Sequence, residues 1–222
     1  MAELDDRMER EAKLALLLSR VGARQRRELE RLLGNPPDIR NVPDEWWEKS
    51  QQEIEDTLTA MLLLTFAASA ALHGLDAARA KARAEAWANR TGAKIAREMT
   101  RNTRTGLRVS LRGIVIAGEP VRPADLRDVT MRWMGPSRWA KVAVTETTRA
   151  QHVGAEYGTE LTTGLSPDDY WRTSHDAKVC EFCQPMDMLP RSQWARRYPE
   201  GPPIHVNCRC VIAFVGAPVK SR

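Results

Sequence analysis

All four cysteines of this 222-residue chain fall in its last fifth, in the stretches Cys180-Glu181-Phe182-Cys183 and Cys208-Arg209-Cys210. Zinc prefers four thiolate or imidazole ligands in a tetrahedron, and a structural site commonly combines a Cys-x-x-Cys turn with a second pair from a distant segment. Residues two apart in extended backbone point to one face, so Cys208 and Cys210 can reach one ion together. His205 competes for the fourth position. The favoured reading is a structural zinc held by Cys180, Cys183, Cys208 and Cys210 with His205 behind them; a Cys3His set is the alternative. Unmetallated thiols packed as small hydrophobes, or disulfides formed in an oxidising exterior, are the remaining readings. The N-terminus, Met1 to Arg7, mixes charges and lacks the basic-then-apolar order of a secretory signal, so export is not expected and the thiols stay reduced.

The rest of the chain reads as helix. Apolar residues recur at helical spacing through Leu14, Leu18, Val21, Leu29 and Leu32, which predicts an amphipathic helix over residues 1–33, stopped by Gly34-Asn35-Pro36-Pro37. Further helices are expected over 44–73, closed by Gly74, over 76–102, and as a pair over 123–162. The run Ala60 to Leu72 is too short to cross a bilayer, which needs about 20 apolar residues, and is read as a buried helix. Val109, Leu111, Ile114, Val115 and Ile116 make the stretch from Gly106 to Pro123 a candidate short strand or buried loop. After Gly164 the texture changes to aromatics, prolines, histidines and cysteines. The expected architecture is therefore α+β and predominantly helical, with a helical body over 1–163 and a small zinc-stapled module over 164–222.

The formal charge of +5 is unevenly spread. Between Asp76 and Arg112 stand ten basic and three acidic residues, a net of +7, which leaves the remainder at −2. At 100° per residue Arg79, Arg83, Arg90, Lys94, Arg97, Arg101 and Arg104 share one sector, beside an apolar sector of Ala80, Ala84, Trp87, Ile95 and Met99. Such a stripe is either a solvated helix face or a phosphate-facing surface that binds DNA without sequence preference.

The tail reads Tyr170-Trp171-Arg172-Thr173-Ser174-His175-Asp176-Ala177-Lys178-Val179-Cys180-Glu181-Phe182-Cys183 and later Pro202-Pro203-Ile204-His205-Val206-Asn207-Cys208-Arg209-Cys210. This resembles the signature of the Mu F-like head morphogenesis family of bacteriophage minor head proteins: an aromatic-Arg-Thr segment, an Asp, a Val-Cys-x-x-Cys and a Pro-x-His-x-Asn-Cys-Arg-Cys close. Arg138 to Ala150, centred on Thr145-Glu146, is similar to the helix that precedes that signature. The resemblance covers about Arg138 to Val211 and marks Glu146, Arg149, Trp171, Arg172, Thr173, Asp176, Asn207 and Arg209 as motif positions. Relatives often carry a glycine soon after the second cysteine; here Gln184-Pro185-Met186-Asp187-Met188 must make the turn another way. With twelve residues after Cys210, no toxin domain of the kind some relatives carry is expected.

What the resemblance implies is a structural virion component: a low-copy head protein near the portal, in contact with the phage portal protein, procapsid components and packaged double-stranded DNA. It would be found in the host cytoplasm during assembly and then in the phage head. No membrane and no small-molecule substrate are expected. A free zinc-dependent nucleic-acid-binding protein is the first rival. An enzyme built around Glu146, His175 and Asp176 is the second, and no nucleotide loop, nucleophile elbow or HExxH helix supports it. The deaminase pattern also fails, since Val179 stands where that pattern needs proline and no His-x-Glu lies upstream. Glu146 and Arg149, three apart on a helix, read as an ion pair, Asp176 as the residue that orients its turn, and Trp133, Trp139, Trp171 and Trp194 as core or interface anchors.

Overall fold

A computed structural model of the chain describes residues 2–115, 120–175 and 179–216, with side chains from residue 6 onward. The fold is predominantly helical α+β: helices α1 (Ala2–Leu33), α2 (Asp44–Leu72), α3 (Ala77–Arg112), α4 (Pro123–Met134), α5 (Pro136–Thr162) and α6 (Arg191–Arg197), and strands β1 (Tyr170–Arg172) and β2 (Val211–Ala213). Each long helix carries its own punctuation. Gly34 (φ 75°), Gly74 (φ 88°) and Gly164 (φ 80°) follow α1, α2 and α5 in the left-handed region that glycine adopts without strain. At the start of α3 the Asp76 carboxylate accepts the Ala78 and Arg79 N–H groups at 2.9 and 3.2 Å. Pro123 and Pro136 open α4 and α5, where their missing N–H costs nothing.

Two compact units emerge, each assembled from separated stretches. One comprises Met1–Glu11, Ala60–Asn89 and Lys141–Arg222; the other comprises Ala12–Thr59 and Arg90–Ala140. The second is packed around Leu29, Leu33, Trp46, Trp47, Leu107, Leu111 and Met134. Here the stretch expected as a short strand or loop from Gly106 proves instead to continue α3 to Arg112. The reason lies in its partner: a Cβ on Gly106 would stand 2.1 Å from the Trp133 ring of α4, so the glycine is a seat for that indole rather than a break. Leu107 and Leu111, four apart, are buried while Val109 is exposed, which is helical rather than alternating burial. Ile116 lies outside the described residues.

The first unit holds two clusters. Phe66, Ala70, Leu75, Ala80 and Ala84 pack with Trp87, Val153 and Tyr157. Around Trp171 and Trp194, both fully buried, gather Met186, Ile212, Phe214, three of the cysteines and Ala155 of α5, so the cysteine-rich segment and α5 share a core. β1 and β2 pair antiparallel with Trp171 opposite Ile212. Among the described residues α2 alone is long and apolar enough to cross a bilayer, by length and composition; 44% of its qualifying window is buried in the protein. The run Ala60 to Leu72 by itself understates that helix, whose Leu62, Phe66 and Ala70 are nevertheless core residues.

Candidate metal centre

The cysteines are brought together by three local devices and one long-range pairing. Cys180 opens a tight turn in which the Cys183 and Gln184 N–H groups both donate to the Cys180 carbonyl at 3.0 Å. The turn needs no glycine: it runs into a 3-10 turn, Gln184–Met186, and Met188 takes the left-handed position at φ 61°. Asn207 reverses the chain at φ 67°, a conformation that asparagine tolerates, and its N–H donates to the Thr145 hydroxyl of α5 at 2.8 Å. The β1–β2 pairing then sets Cys210, just before β2, beside Trp171.

The result is a cluster of five donor atoms. Cys180, Cys183 and His205 form one trio and Cys183, Cys208 and Cys210 another; within each, all ligand atoms lie within 4.8 Å. All four cysteines are free thiols. Two ligands of one zinc at about 2.3 Å stand about 3.8 Å apart across a tetrahedral edge. The Cys183 and Cys208 sulfurs are 3.8 Å apart. His205 Nε2 lies 3.0 Å from both the Cys180 and Cys183 sulfurs, a hydrogen-bond separation, and its Nδ1 lies 2.9 Å from the Val206 carbonyl. The cluster is thus compatible with a metal ion, and its sulfur-rich donor set suits a soft or borderline cation.

Electrostatics points the same way. Hydrogen bonds from Cys183 and Cys210 pull the Cys208 thiol down to about 2. The bond to Cys208 in turn pushes Cys183 far up. Cys210 is drawn down by Cys183 but pushed up more by Cys208 and by burial, to about 12. Sulfurs this close resist sharing negative charge among themselves, and a divalent cation held between them would supply the charge that favours their thiolate forms. Among the described residues the buried Trp171 indole N–H has no hydrogen-bond partner, and its nearness favours the anionic form of Cys210.

Residues missed in the sequence order the surroundings. Asp187 accepts the Thr173 N–H at 2.8 Å and hydroxyl at 3.1 Å and pairs with His175 at 3.0 Å; these contacts, the Thr173 N–H foremost, hold its carboxyl below the usual range. Asp176, expected to orient this turn, lies outside the described residues. Asp169, fully buried, accepts the Ser166 and Val215 N–H groups at 2.9 and 3.0 Å, while its carbonyl takes the Trp194 indole N–H at 3.1 Å. Its only signal was position, one residue before β1. Glu146, 7% exposed on α5, bonds Arg149 at 3.0 Å, Arg172 points outward, and Arg209 is half-buried.

The basic stripe lies along α3. Arg79, Arg83, Arg90, Lys94, Arg97 and Arg101 are exposed, whereas Ala80, Ala84 and Met99 are buried on its other side. Arg104 is partly covered, bonded to Asp44 at 2.7 Å and stacked over Trp47 at 5.6 Å.

His152 of α5 adds a pH dependence. Its ring is buried against Gly201, where a Cβ would come within 2.1 Å. Burial lowers its pKa from 6.5 to about 4, with Glu156 opposing and Arg191 reinforcing the shift. A depressed histidine contributes stability that is complete above the unfolded value and is lost as pH falls, since only the unfolded chain takes up the proton. Urea unfolding should therefore show stability declining from pH 6.5 to 4 by about 3 kcal/mol from this group. His152→Asn should flatten that slope, and an unchanged slope would reject the assignment.

Compared with protein-family models, curated proteins and solved structures, the chain matches none of them.

Proposed function

We propose that this protein is a structural component of a bacteriophage head, a minor head protein that binds near the portal and takes part in head assembly and in DNA packaging or ejection. The observation that carries the reading is the run of motif residues from Trp171 to Cys210, whose cysteines, histidine and Trp171 occupy one cluster. In this reading the metal is zinc and its role is to staple a small, strand-poor segment that a hydrophobic core alone supports weakly. Four sulfurs bind the ion, and His205 stands behind them, its Nε2 3.0 Å from the Cys180 and Cys183 sulfurs. The exposed face of α3 supplies a surface for phosphates.

Quantitative mass spectrometry of gradient-purified procapsids and virions, assembled with the cognate portal protein, tests the assignment. The protein is expected at a fixed low copy number per particle. Recovery only in the soluble fraction would instead favour a free nucleic-acid-binding protein. In the same assay, replacing Arg90, Lys94, Arg97 and Arg101 with glutamine is expected to leave particle association intact. That variant should bind duplex DNA more weakly and with a shallower slope of log affinity against log salt. An unchanged slope removes DNA contact from the role.

A further inference from the structure

We infer that Arg7 and Glu11, in the first turns of α1, are positioning residues of the metal centre, so that metal binding and the docking of this end of α1 are linked; the inference rests on the metal reading above. The contact is built on Arg209, the residue between Cys208 and Cys210. Its carbonyl accepts a hydrogen bond from the Arg7 guanidinium at 3.0 Å, 202 residues away in sequence. Its own guanidinium lies 4.0 Å from Glu11, and Arg7 closes the group at 3.3 Å from the same carboxylate. Arg7 is 3% exposed and Glu11 8% exposed, although arginine and glutamate are almost never buried unless paired.

That burial separates this group from an ordinary surface ion pair. Two guanidiniums flank one carboxylate, so losing the Glu11 charge removes what holds both of them in place. The Cys-x-Cys segment has few ways to hold both sulfurs toward one ion. Fixing the carbonyl and the side chain of the intervening residue selects among them, as outer partners of metal ligands do elsewhere. Linkage makes the effect reciprocal: whatever factor docking of α1 adds to metal affinity, metal adds to docking.

The test uses the full chain. Zinc affinity is measured by chelator competition for wild type, Glu11→Gln, which keeps shape and loses charge, and Arg7→Lys, which keeps charge and loses the second donor. Amide exchange over residues 6–14 is followed with and without zinc. Both variants are expected to bind one zinc with affinity about 10- to 100-fold lower. Chelation should raise exchange at residues 6–14 together with 205–212, and leave α4 unchanged. If wild type and both variants bind one zinc equally tightly, or if exchange at 6–14 ignores the metal, the inference is overturned while the metal reading stands. A wild type that binds no zinc overturns both. Should Arg7→Lys fail to fold, the isosteric Glu11→Gln decides.

Discussion

Cys183→Ser is expected to abolish tight zinc binding and to loosen the segment around β1, α6 and β2 while α4 stays folded. Cys183 is the member common to both donor trios, 2% exposed and part of the Trp171–Trp194 cluster, so its loss disrupts both at once. Outer partners of a metal ligand are worth about 10- to 100-fold in affinity, so a lost ligand should cost more than about 100-fold. Because ligand binding free energy is folding free energy in such a segment, hydrogen exchange should rise across 170–175 and 205–213. Cys180→Ser should be milder, since Cys180 is only half-buried and sits in one trio. X-ray absorption at the zinc edge should show four sulfurs in the wild type; three sulfurs and one nitrogen would make His205 a ligand. Elemental analysis finding no metal in the reduced wild-type protein, or exchange unaltered by Cys183→Ser, would end the zinc-staple reading.

The second large effect concerns the seat of the site on α5. Gly154 and Gly158, four apart on α5, face Phe66 and Ala70, four apart on α2. A Cβ on Gly154 would stand 2.4 Å from the Phe66 carbonyl oxygen and 3.0 Å from its carbon; one on Gly158 would stand 2.6 Å from the Ala70 oxygen. The obstacle is backbone, which no rotamer change can clear. Replacing glycine by alanine in a helix interior ordinarily gains about 0.5–1 kcal/mol, whereas overpacking costs about 1–3 kcal/mol or more. For Gly154→Ala a net loss of about 2 kcal/mol is expected, read as a lower urea midpoint with unchanged m-value. Gly113→Ala, whose new Cβ meets nothing nearer than 3.4 Å, should shift stability by no more than about 0.5 kcal/mol. Since α5 carries Thr145 against Asn207 and Ala155 in the tryptophan cluster, the displacement should also weaken zinc binding. A midpoint for Gly154→Ala at or above that of wild type would show that the two helices can part without cost.

What the sequence by itself determined are the features decided within a turn or two of backbone. The helical periodicity of α1, the glycines that close α1 and α2 and the proline that opens α4 are each settled by neighbours three or four residues away. The donor set was legible for the same reason: Cys180-x-x-Cys183 is a turn and Cys208-x-Cys210 an extended pair. Tertiary structure alone decided the rest. Gly106 begins the stretch expected as a strand or loop until Trp133 fills the space above it. The stretch after it alternates enough to suggest a strand until α4 selects Leu107 and Leu111 as its buried face. Asp187, fourteen residues on, accepts the Thr173 N–H, and Arg209 finds its partners at the other end of the chain, on α1. Periodicity tells which side of an element is apolar; the partner of a buried charge or an indole depends on which distant segment arrives there. That arrival is set by the packing of the whole unit, because a buried polar group is stable only where another chain segment completes its hydrogen bonds.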